Sequence, residues 1–568
     1  MNTTVQWNDL TLSVSAEAQI HVEETIPGKT CISLTRDPQA HIPHLTIRWS
    51  MPLVDIQYEW YPSCGMNRSL HVDWYAPVKS RISSSAPVYC FYNTEGRNRL
   101  TVALSDVLTE IDCNLGVREE DGTLLCCVDI PLTEETYQVT LYRSEDNVSF
   151  SEAIRRVARW WETLYPPMNV PEAAQLPMYS AWYSFHQATI AGEIEAECAR
   201  AAALGMKTVI VDDGWQTSDG NRGYGYCGDW RPTPEKIPDM KAHVARVHAL
   251  GMKYMLWYSV PFIGEWSQKW NDYKEMILVY HERHHAGVLD VRYPQARRYL
   301  IDTYLSALKD WDLDGFKLDF IDSFCPTTQA PPANDRMDYA SVEEAVLRLM
   351  TDVMNALRAV KPDILIEFRQ SYIGPAMRTF GNMFRVGDCP ADGLSNRVGM
   401  VDLRLTSGRT AVHSDMLMWH RQDDVYNAAR QILSVIFAVP QISVRLDQLP
   451  PLHLDMLRFW LSFMAEHRGL LAAPIEAESP QNLYPIVRTR TDTEEAIAVY
   501  DRHVALLSGA QTTYVFNATA DGWLAVKSAC ECEAQTFDCL GRPFRTQKIA
   551  AGLSELVVPV GGYARISV

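Results

Sequence analysis

Ala203-Leu-Gly-Met-Lys207 is followed at once by Thr-Val-Ile-Val211, and Ala249-Leu-Gly-Met-Lys253 by Tyr-Met-Leu-Trp257. In each copy the glycine suits the left-handed position that ends a helix, and the apolar run after it reads as a strand. A helix stop joined directly to a strand start, used twice, is the junction of successive β/α units. Working outward from it, eight segments read as strands with helical patterns between them: 178–185, 207–213, 253–259, 315–321, 364–370, 383–388, 409–417 and 435–444. Eight such units predict a closed (β/α)8 barrel over residues 178–472. The unit after the third strand is long, roughly 260–314, and leaves room for an excursion over the barrel mouth. The helix Leu452 to His467 closes the barrel.

The flanks read differently. In residues 1–148, Leu10-Thr-Leu-Ser-Val-Ser, His44-Leu-Thr-Ile-Arg-Trp, Asp55-Ile-Gln-Tyr-Glu-Trp, Leu100-Thr-Val-Ala-Leu and Tyr137-Gln-Val-Thr-Leu-Tyr alternate between polar turns, as in an antiparallel sandwich. Residues 149–177 hold a helix, Ser151 to Leu164, and an extended segment punctuated by Pro166, Pro167, Pro171 and Pro177. Residues 473–568 return to strands. The expected architecture is multidomain: a central TIM barrel between an N-terminal antiparallel β-sandwich and a small C-terminal β-sandwich.

Composition narrows the partners. The 568 residues are 47% hydrophobic and 21% charged, as in an ordinary globular protein, and carry a net charge of −18. That sign argues against a nucleic-acid partner and disfavours an anionic membrane surface. The first residues lack a basic run followed by an apolar one, and the longest apolar stretch, around Ile432 to Val444, is too short to span a bilayer. The thirteen cysteines are scattered without zinc-ribbon or thioredoxin spacing, which suggests reduced thiols. A cytoplasmic protein without metal or cofactor is the expectation.

In a parallel barrel the C-terminal strand ends converge on one pocket. The fourth strand, Gly315-Phe-Lys-Leu-Asp-Phe-Ile-Asp-Ser323, puts Lys317 and Asp319 on one face. Charges there are costly to bury unless paired, so a structural ion pair and a catalytic pair are both open readings. The first strand offers Trp182. The second ends in the vicinal carboxylates Asp212 and Asp213, and Asp229 and Trp230 follow. The third offers Trp257 and Tyr258, and the fifth Glu367 and Arg369 on one face, as an ion pair or a binding pair. The sixth, Phe384-Arg-Val-Gly-Asp-Cys-Pro-Ala-Asp392, carries Arg385 and Asp388, and the seventh His413 and Asp415. His284-His285 reads as surface. No phosphate loop, nucleophile elbow or metal-spaced histidine pair appears. Carboxylate pairs among tryptophans and tyrosines, without a cofactor, are what glycoside cleavage requires: one carboxylate to attack the anomeric carbon, another to protonate the leaving oxygen. A neighbouring lysine keeps the attacking carboxylate ionised, whereas the acid needs a raised pKa.

Val211-Asp-Asp-Gly-Trp-Gln216, Gly228-Asp-Trp230, Lys317-Leu-Asp319 and Arg385-Val-Gly-Asp388, in this order, resemble glycoside hydrolase family 36, which includes melibiases and the raffinose-synthase-like proteins. The resemblance covers roughly 178–420. It implies a retaining α-galactosidase with Asp319 as nucleophile and Asp388 as acid/base, working without metal. It further implies that Asp212 and Asp213 bind the O4 and O6 hydroxyls of a galactose-like sugar, that Lys317 contacts O3 or O4 and Arg385 O2, and that Trp182 and Trp257 line the pocket; Arg369 and Asp415, from the strand ends above, are candidate binding residues beside them. Homo-oligomers are common in the family; no interface is legible here. Ile366-Glu-Phe-Arg-Gln370 stands where the family carries a Cys-Ser-Gly-Gly-Gly run, and Gly387-Asp-Cys-Pro-Ala-Asp392 replaces Ser-Asp-Asn-Thr-Asp. The Gly-Asp-Cys triplet and Phe316-Lys-Leu-Asp-Phe320 also resemble the α-xylosidases and α-glucosidases of family 31. Another α-glycoside, transglycosylation of the raffinose-synthase kind, a carbohydrate-binding role on a decayed barrel, and Asp392 as the acid therefore stay open.

Overall fold

The computed structural model describes residues 2–38, 42–328 and 330–567. Eight parallel strands close into a barrel: β1 (Met178–Ser180), β2 (Thr208–Val211), β3 (Lys253–Ser259), β4 (Gly315–Asp319), β5 (Leu365–Arg369), β6 (Met383–Arg385), β7 (Ala411–Leu417) and β8 (Val439–Ile442), with β8 pairing back onto β1. Each lies within a segment expected from the sequence. The repeated junction is built as its glycines require: Gly205 and Gly251 follow helices Ala191–Ala203 and Met240–His248 at φ 93° and 75°.

One segment departs from expectation. The first strand stops at Ser180, and Trp182–Phe185 forms a helical turn, closed by Phe185 N–H donating to Ala181 O and His186 N–H to Trp182 O. Aromatic residues favour strands in general; here the chain leaves the barrel after one bond from Ala181 N–H to Ile210 O. The long unit after β3 is an excursion, as expected. Strands Phe262–Gly264, Ala286–Leu289 and Ile277–His281 pair antiparallel into a small sheet.

Two six-stranded antiparallel sheets precede the barrel, and a seven-stranded and a three-stranded sheet follow it. Among the expected N-terminal strands, the one around Asp55 shortens to Tyr58–Trp60. Helix Phe150–Leu164 links sandwich and barrel, burying Ile154, Val157, Trp160 and Trp161 and exposing its other face. Among the described residues no helix is long and apolar enough to cross a membrane.

The two-residue strand period sorts the barrel interior by height. Its floor is apolar, with Met178, Ile210, Met255, Leu365 and Met383 packed together. Two residues beyond Ile210, Met255, Leu365 and Met383 stand Asp212, Trp257, Glu367 and Arg385, with Lys317 two beyond Gly315 on β4, and above them Asp319 and Arg369. A dry floor under a charged ceiling directs all of this polarity towards the C-terminal mouth.

Helix Gly393–Thr406 supplies the residue that ties the three parts together. Asp402 accepts hydrogen bonds from Trp60 Nε1 (2.9 Å) and Arg68 Nη2 (3.4 Å) on the N-terminal side, and from Tyr484 Oη (2.6 Å) on the C-terminal side. All four side chains are buried. Asp402→Ala strands the Arg68 guanidinium without a carboxylate, and breaking a buried pair this way costs about 3–5 kcal/mol. The expected result is a correspondingly lower free energy of unfolding by denaturant titration. A loss under about 1 kcal/mol, the range of an exposed pair, would contradict a buried tie.

Candidate active site

Asp319, the last residue of β4, is the best-held carboxylate of the mouth. Its Oδ2 accepts from Trp257 Nε1 (3.0 Å); its Oδ1 accepts from Arg369 Nε (2.7 Å), Phe320 N–H (2.7 Å) and Tyr372 Oη (3.3 Å). Burial works to raise its pKa, but Arg369, Lys317, the Trp257 bond and Arg385 outweigh that and hold it well below the usual carboxylate range. Asp319 is therefore an ionised, oriented oxyanion with 9% of its side chain exposed, aimed where the strands end.

Asp388 lies beyond the end of β6, and 56% of its side chain is exposed. Arg385 Nη2 donates to its Oδ1 at 2.9 Å. The loop around it is fixed from both sides: Gly387 N–H donates to Gln370 Oε1 (3.0 Å) and Cys389 N–H to Asp415 Oδ2 (2.7 Å). Its pKa is lowered, not raised: burial pushes it up, but Arg385 and Lys317 pull it below its ordinary value against the repulsion of Asp319. Arg385 and Lys317 thus act on both carboxylates.

Arg385 is the hub beneath. It is buried and pairs with Asp415 (2.5 Å), Asp388 (2.9 Å) and Glu367 (3.5 Å). Asp415 has no exposed surface; it holds Arg385, the Cys389 amide and the Tyr183 hydroxyl (3.0 Å), and so stands behind the pocket wall instead of facing a ligand. Glu367 does not pair with Arg369, its neighbour on the strand face. Glu367 accepts from Gln441 Nε2 and leans on Arg385, while Arg369 goes up to Asp319. His413 is also structural: Nε2 donates to Ala174 O (2.8 Å), and burial pushes its pKa down to about 4.

The vicinal pair after β2 separates in role. Asp212 accepts from Lys317 Nζ at 2.6 Å, both being buried. Asp213 accepts from Gln187 Nε2 (2.6 Å) and Gln216 Nε2 (2.7 Å); burial raises its pKa to about 6 against those two bonds. Trp257 is fully buried, so it serves Asp319 through its indole N–H; the ring over it is Tyr224, centroids 6.2 Å apart. Trp182 is half-buried and meets the His186 ring edge-on at 4.9 Å. Asp229 caps a loop, accepting from the amides of Gln268 and Lys269. Asp392 is committed as the N-cap of helix Gly393–Thr406, accepting from Leu394 N–H (3.1 Å) and Ser395 N–H (3.0 Å). Of His284-His285, His285 is exposed, and His284 packs on Tyr224 at 5.2 Å. Among the described residues no three His, Cys, Asp or Glu side chains are grouped as a metal site would need.

Residues 178–376 match the family described as melibiase. The α-galactosidase C of Emericella nidulans is 25% identical over 167 residues, covering 25% of this chain and 21% of that protein. An Escherichia coli α-galactosidase is 29% identical over 126 residues, covering 21% and 18%. A Flavonifractor plautii enzyme named as an A-type blood α-D-galactosamine galactosaminidase is 24% identical over 200 residues, covering 32% and 17%. Each alignment thus spans less than a quarter of the relative's own length. Among solved structures, the family 36 α-galactosidase AgaA of Geobacillus stearothermophilus, in complex with raffinose, superposes with a TM-score of 0.63 at 14% identity, covering 98% of this chain and 81% of that one. The α-galactosidase of Lactobacillus brevis gives 0.65 at 12% identity, covering 100% and 83%. The fold of the whole chain is shared with these structures.

Proposed function

We propose that this chain, a relative of the family 36 α-galactosidases, hydrolyses terminal α-galactosides with retention of configuration. The observation that carries the reading is the cradle of Asp319: a buried carboxylate at a barrel strand end, kept ionised by Arg369 and Lys317 and oriented by Trp257. Such a group is poised to attack a carbon that develops positive charge.

In this reading Asp319 attacks the anomeric carbon of a bound galactoside while Asp388 gives a proton to the departing glycosidic oxygen. The resulting galactosyl ester on Asp319 is opened by a water that Asp388 deprotonates, and galactose leaves with its original anomeric configuration. Asp212, Asp213 and Lys317 would receive the ring hydroxyls, with Gln187 and Gln216 fixing the Asp213 oxygens. Arg385 would turn one donor to the sugar. The likeness in fold to a structure holding raffinose, and the galactosidase names of the relatives, support a galactose-terminated oligosaccharide as substrate. A panel of nitrophenyl α-galactoside, α-glucoside, α-xyloside and α-N-acetylgalactosaminide tests the sugar: the galactoside should be turned over fastest, and preference for any other would overturn the assignment.

The lowered pKa of Asp388 gives a test of its own. The proton donor must be protonated to act, so its pKa sets the alkaline limb of the pH profile. In the free enzyme Arg385 stabilises the ionised form and moves that limb down. A sugar that takes over the Arg385 donor removes this stabilisation and moves the limb up. Because kcat/KM reports the free enzyme and kcat the complex, the alkaline limb of kcat should lie at higher pH than that of kcat/KM. Coincident or reversed limbs would remove Asp388 from the acid's role or Arg385 from the sugar.

A further inference from the structure

Arg369 stands between two carboxylates, Asp319 and Asp322. Its Nε donates to Asp319 Oδ1 at 2.7 Å, and its Nη1 reaches Asp322 Oδ2 at 3.4 Å and the Gln370 carbonyl at 2.8 Å. The guanidinium lies over the Phe320 and Tyr372 rings, 5.2 and 5.4 Å from their centroids, and the side chain is 17% exposed. Burial works against its charge, but Asp319, Tyr372 and Asp322 together raise its pKa against the repulsion of Arg385. Arg369 is therefore a fixed cation that must find its countercharge where it stands.

Asp322 is placed by the turn that ends β4. Phe320 takes the left-handed conformation, φ 65°, and Ser323 N–H donates to Phe320 O at 2.9 Å. Asp322 Oδ2 then meets Arg369 and the Ser371 hydroxyl, both at 3.4 Å. Ser371 is held from outside the barrel, its carbonyl accepting from Ser85 N–H of the N-terminal sandwich at 2.8 Å. Both contacts to Asp322 are long, and its Oδ1 is buried without a hydrogen-bond partner among the described residues. Burial raises its pKa, Arg369 opposes that, and Asp319 adds to it. A carboxylate so loosely satisfied is costly, while Asp319 takes the shorter bond from the same cation.

Esterification of Asp319 reverses this balance. Asp319 Oδ1 already accepts from Arg369, Phe320 N–H and Tyr372, whereas Oδ2 accepts from Trp257, so Oδ2 is the oxygen freer to bond the anomeric carbon. As that bond forms, the glycosidic C–O bond breaks and the leaving oxygen takes the proton of Asp388. The negative charge thus passes from Asp319, now a neutral ester, to Asp388, which pairs with Arg385. Arg369 keeps only Asp322 as a charged partner among its ion pairs. We propose that Asp322 is a positioning residue for the covalent stage: it takes over Arg369 as countercharge while Asp319 is esterified and yields it back when the ester is opened. This rests on the retaining reading above.

The test is Asp322→Asn, with Asp322→Ser as a second neutral variant should the first not fold, and Asp322→Glu as one that keeps the charge. Two rates are compared with those of the unaltered chain. kcat/KM for dinitrophenyl α-galactoside reports formation of the ester, and reactivation of the chain labelled with 5-fluoro-α-galactosyl fluoride reports its hydrolysis. Without a countercharge for Arg369 the ester should lose about 10–100-fold in stability relative to the free chain, the worth of a hydrogen bond to a charged group. That loss is divided between the two steps, so the neutral variants should form the ester several-fold more slowly and hydrolyse it several-fold faster. Asp322→Glu should do neither. A residue that merely seats Arg369 would slow both steps when replaced, and one that touches the leaving group would slow formation and leave hydrolysis unchanged. Either pattern, or unchanged rates in the neutral variants, would overturn the proposal. If the unaltered chain forms no ester, the retaining reading falls and the proposal with it; if it labels normally and only the variants disagree, the proposal falls alone.

Discussion

Asp319→Ala should lower kcat for an aryl α-galactoside by about 10⁴–10⁶-fold, the order seen when a nucleophile is removed from a unit that acts together. Asp319 has no substitute within its cradle. Arg369, Trp257, Tyr372 and the Phe320 amide all donate to it, so its removal leaves four donors facing an open space of carboxylate size at the strand end. A small anion can enter that space. Azide at high concentration should therefore restore cleavage of dinitrophenyl α-galactoside and yield β-galactosyl azide, since a single displacement from outside inverts the centre. Rescue also shows that the variant is folded, separating lost chemistry from lost structure. Full activity in Asp319→Ala would end the assignment, and a loss without rescue would leave Asp319 no more than a structural partner of Arg369.

Asp388→Ala should have the opposite signature. With a leaving group that needs a proton, such as the sugar alcohol of raffinose, turnover should fall by about 10²–10⁴-fold, the usual worth of a general acid. With dinitrophenolate, which leaves unaided, galactosylation should proceed at close to its normal rate. Hydrolysis of the galactosyl ester then lacks its base, so an initial burst should be followed by a slow steady state. Azide needs no base and should accelerate that second step, giving α-galactosyl azide, the anomer opposite to that from Asp319→Ala. The two azides assign the two carboxylates independently. An equal loss on good and poor leaving groups would remove Asp388 from the acid's role.

The barrel was legible because its signals are local. Gly205 and Gly251 each mark a helix stop beside an apolar run, and eight such runs leave few alternatives. That Lys317 and Asp319 share one face follows from the two-residue period alone; that Lys317 pairs with Asp212, and Asp319 with Arg369, does not. What the sequence could not show is partner choice, because that depends on register between strands far apart in the chain. Glu367 and Arg369 share a face, yet Glu367 meets Gln441 and Arg385 across the barrel while Arg369, one layer higher, reaches Asp319, so each finds a different partner. Tyr372, Gln187 and Gln441 carry no charge and belong to no local pattern, although they fix Asp319, Asp213 and Glu367. The cap at Asp392 was readable: an aspartate before Gly-Leu-Ser at the head of a helical pattern is an N-cap signal. Trp182 misled because aromatic residues suit strands, and nothing local announces that the chain turns helical at Ala181.

The lowered pKa of Asp388 follows from the same geometry. Three carboxylates, Asp388, Asp415 and Glu367, share Arg385, and only Asp388 is open to solvent. Arg385 is therefore a charge store that a ligand can redraw on one side while Asp415 and Glu367 hold it on the other.

The most direct measurement traps the covalent intermediate. Incubating the chain with 5-fluoro-α-galactosyl fluoride slows hydrolysis of the glycosyl ester, and peptide mass spectrometry then locates the sugar. The account places one galactosyl unit on the peptide containing Asp319, fragmenting to that residue. A label on Asp388, Asp322 or any other side chain, or turnover with no covalent species and an inverted first product, would contradict it.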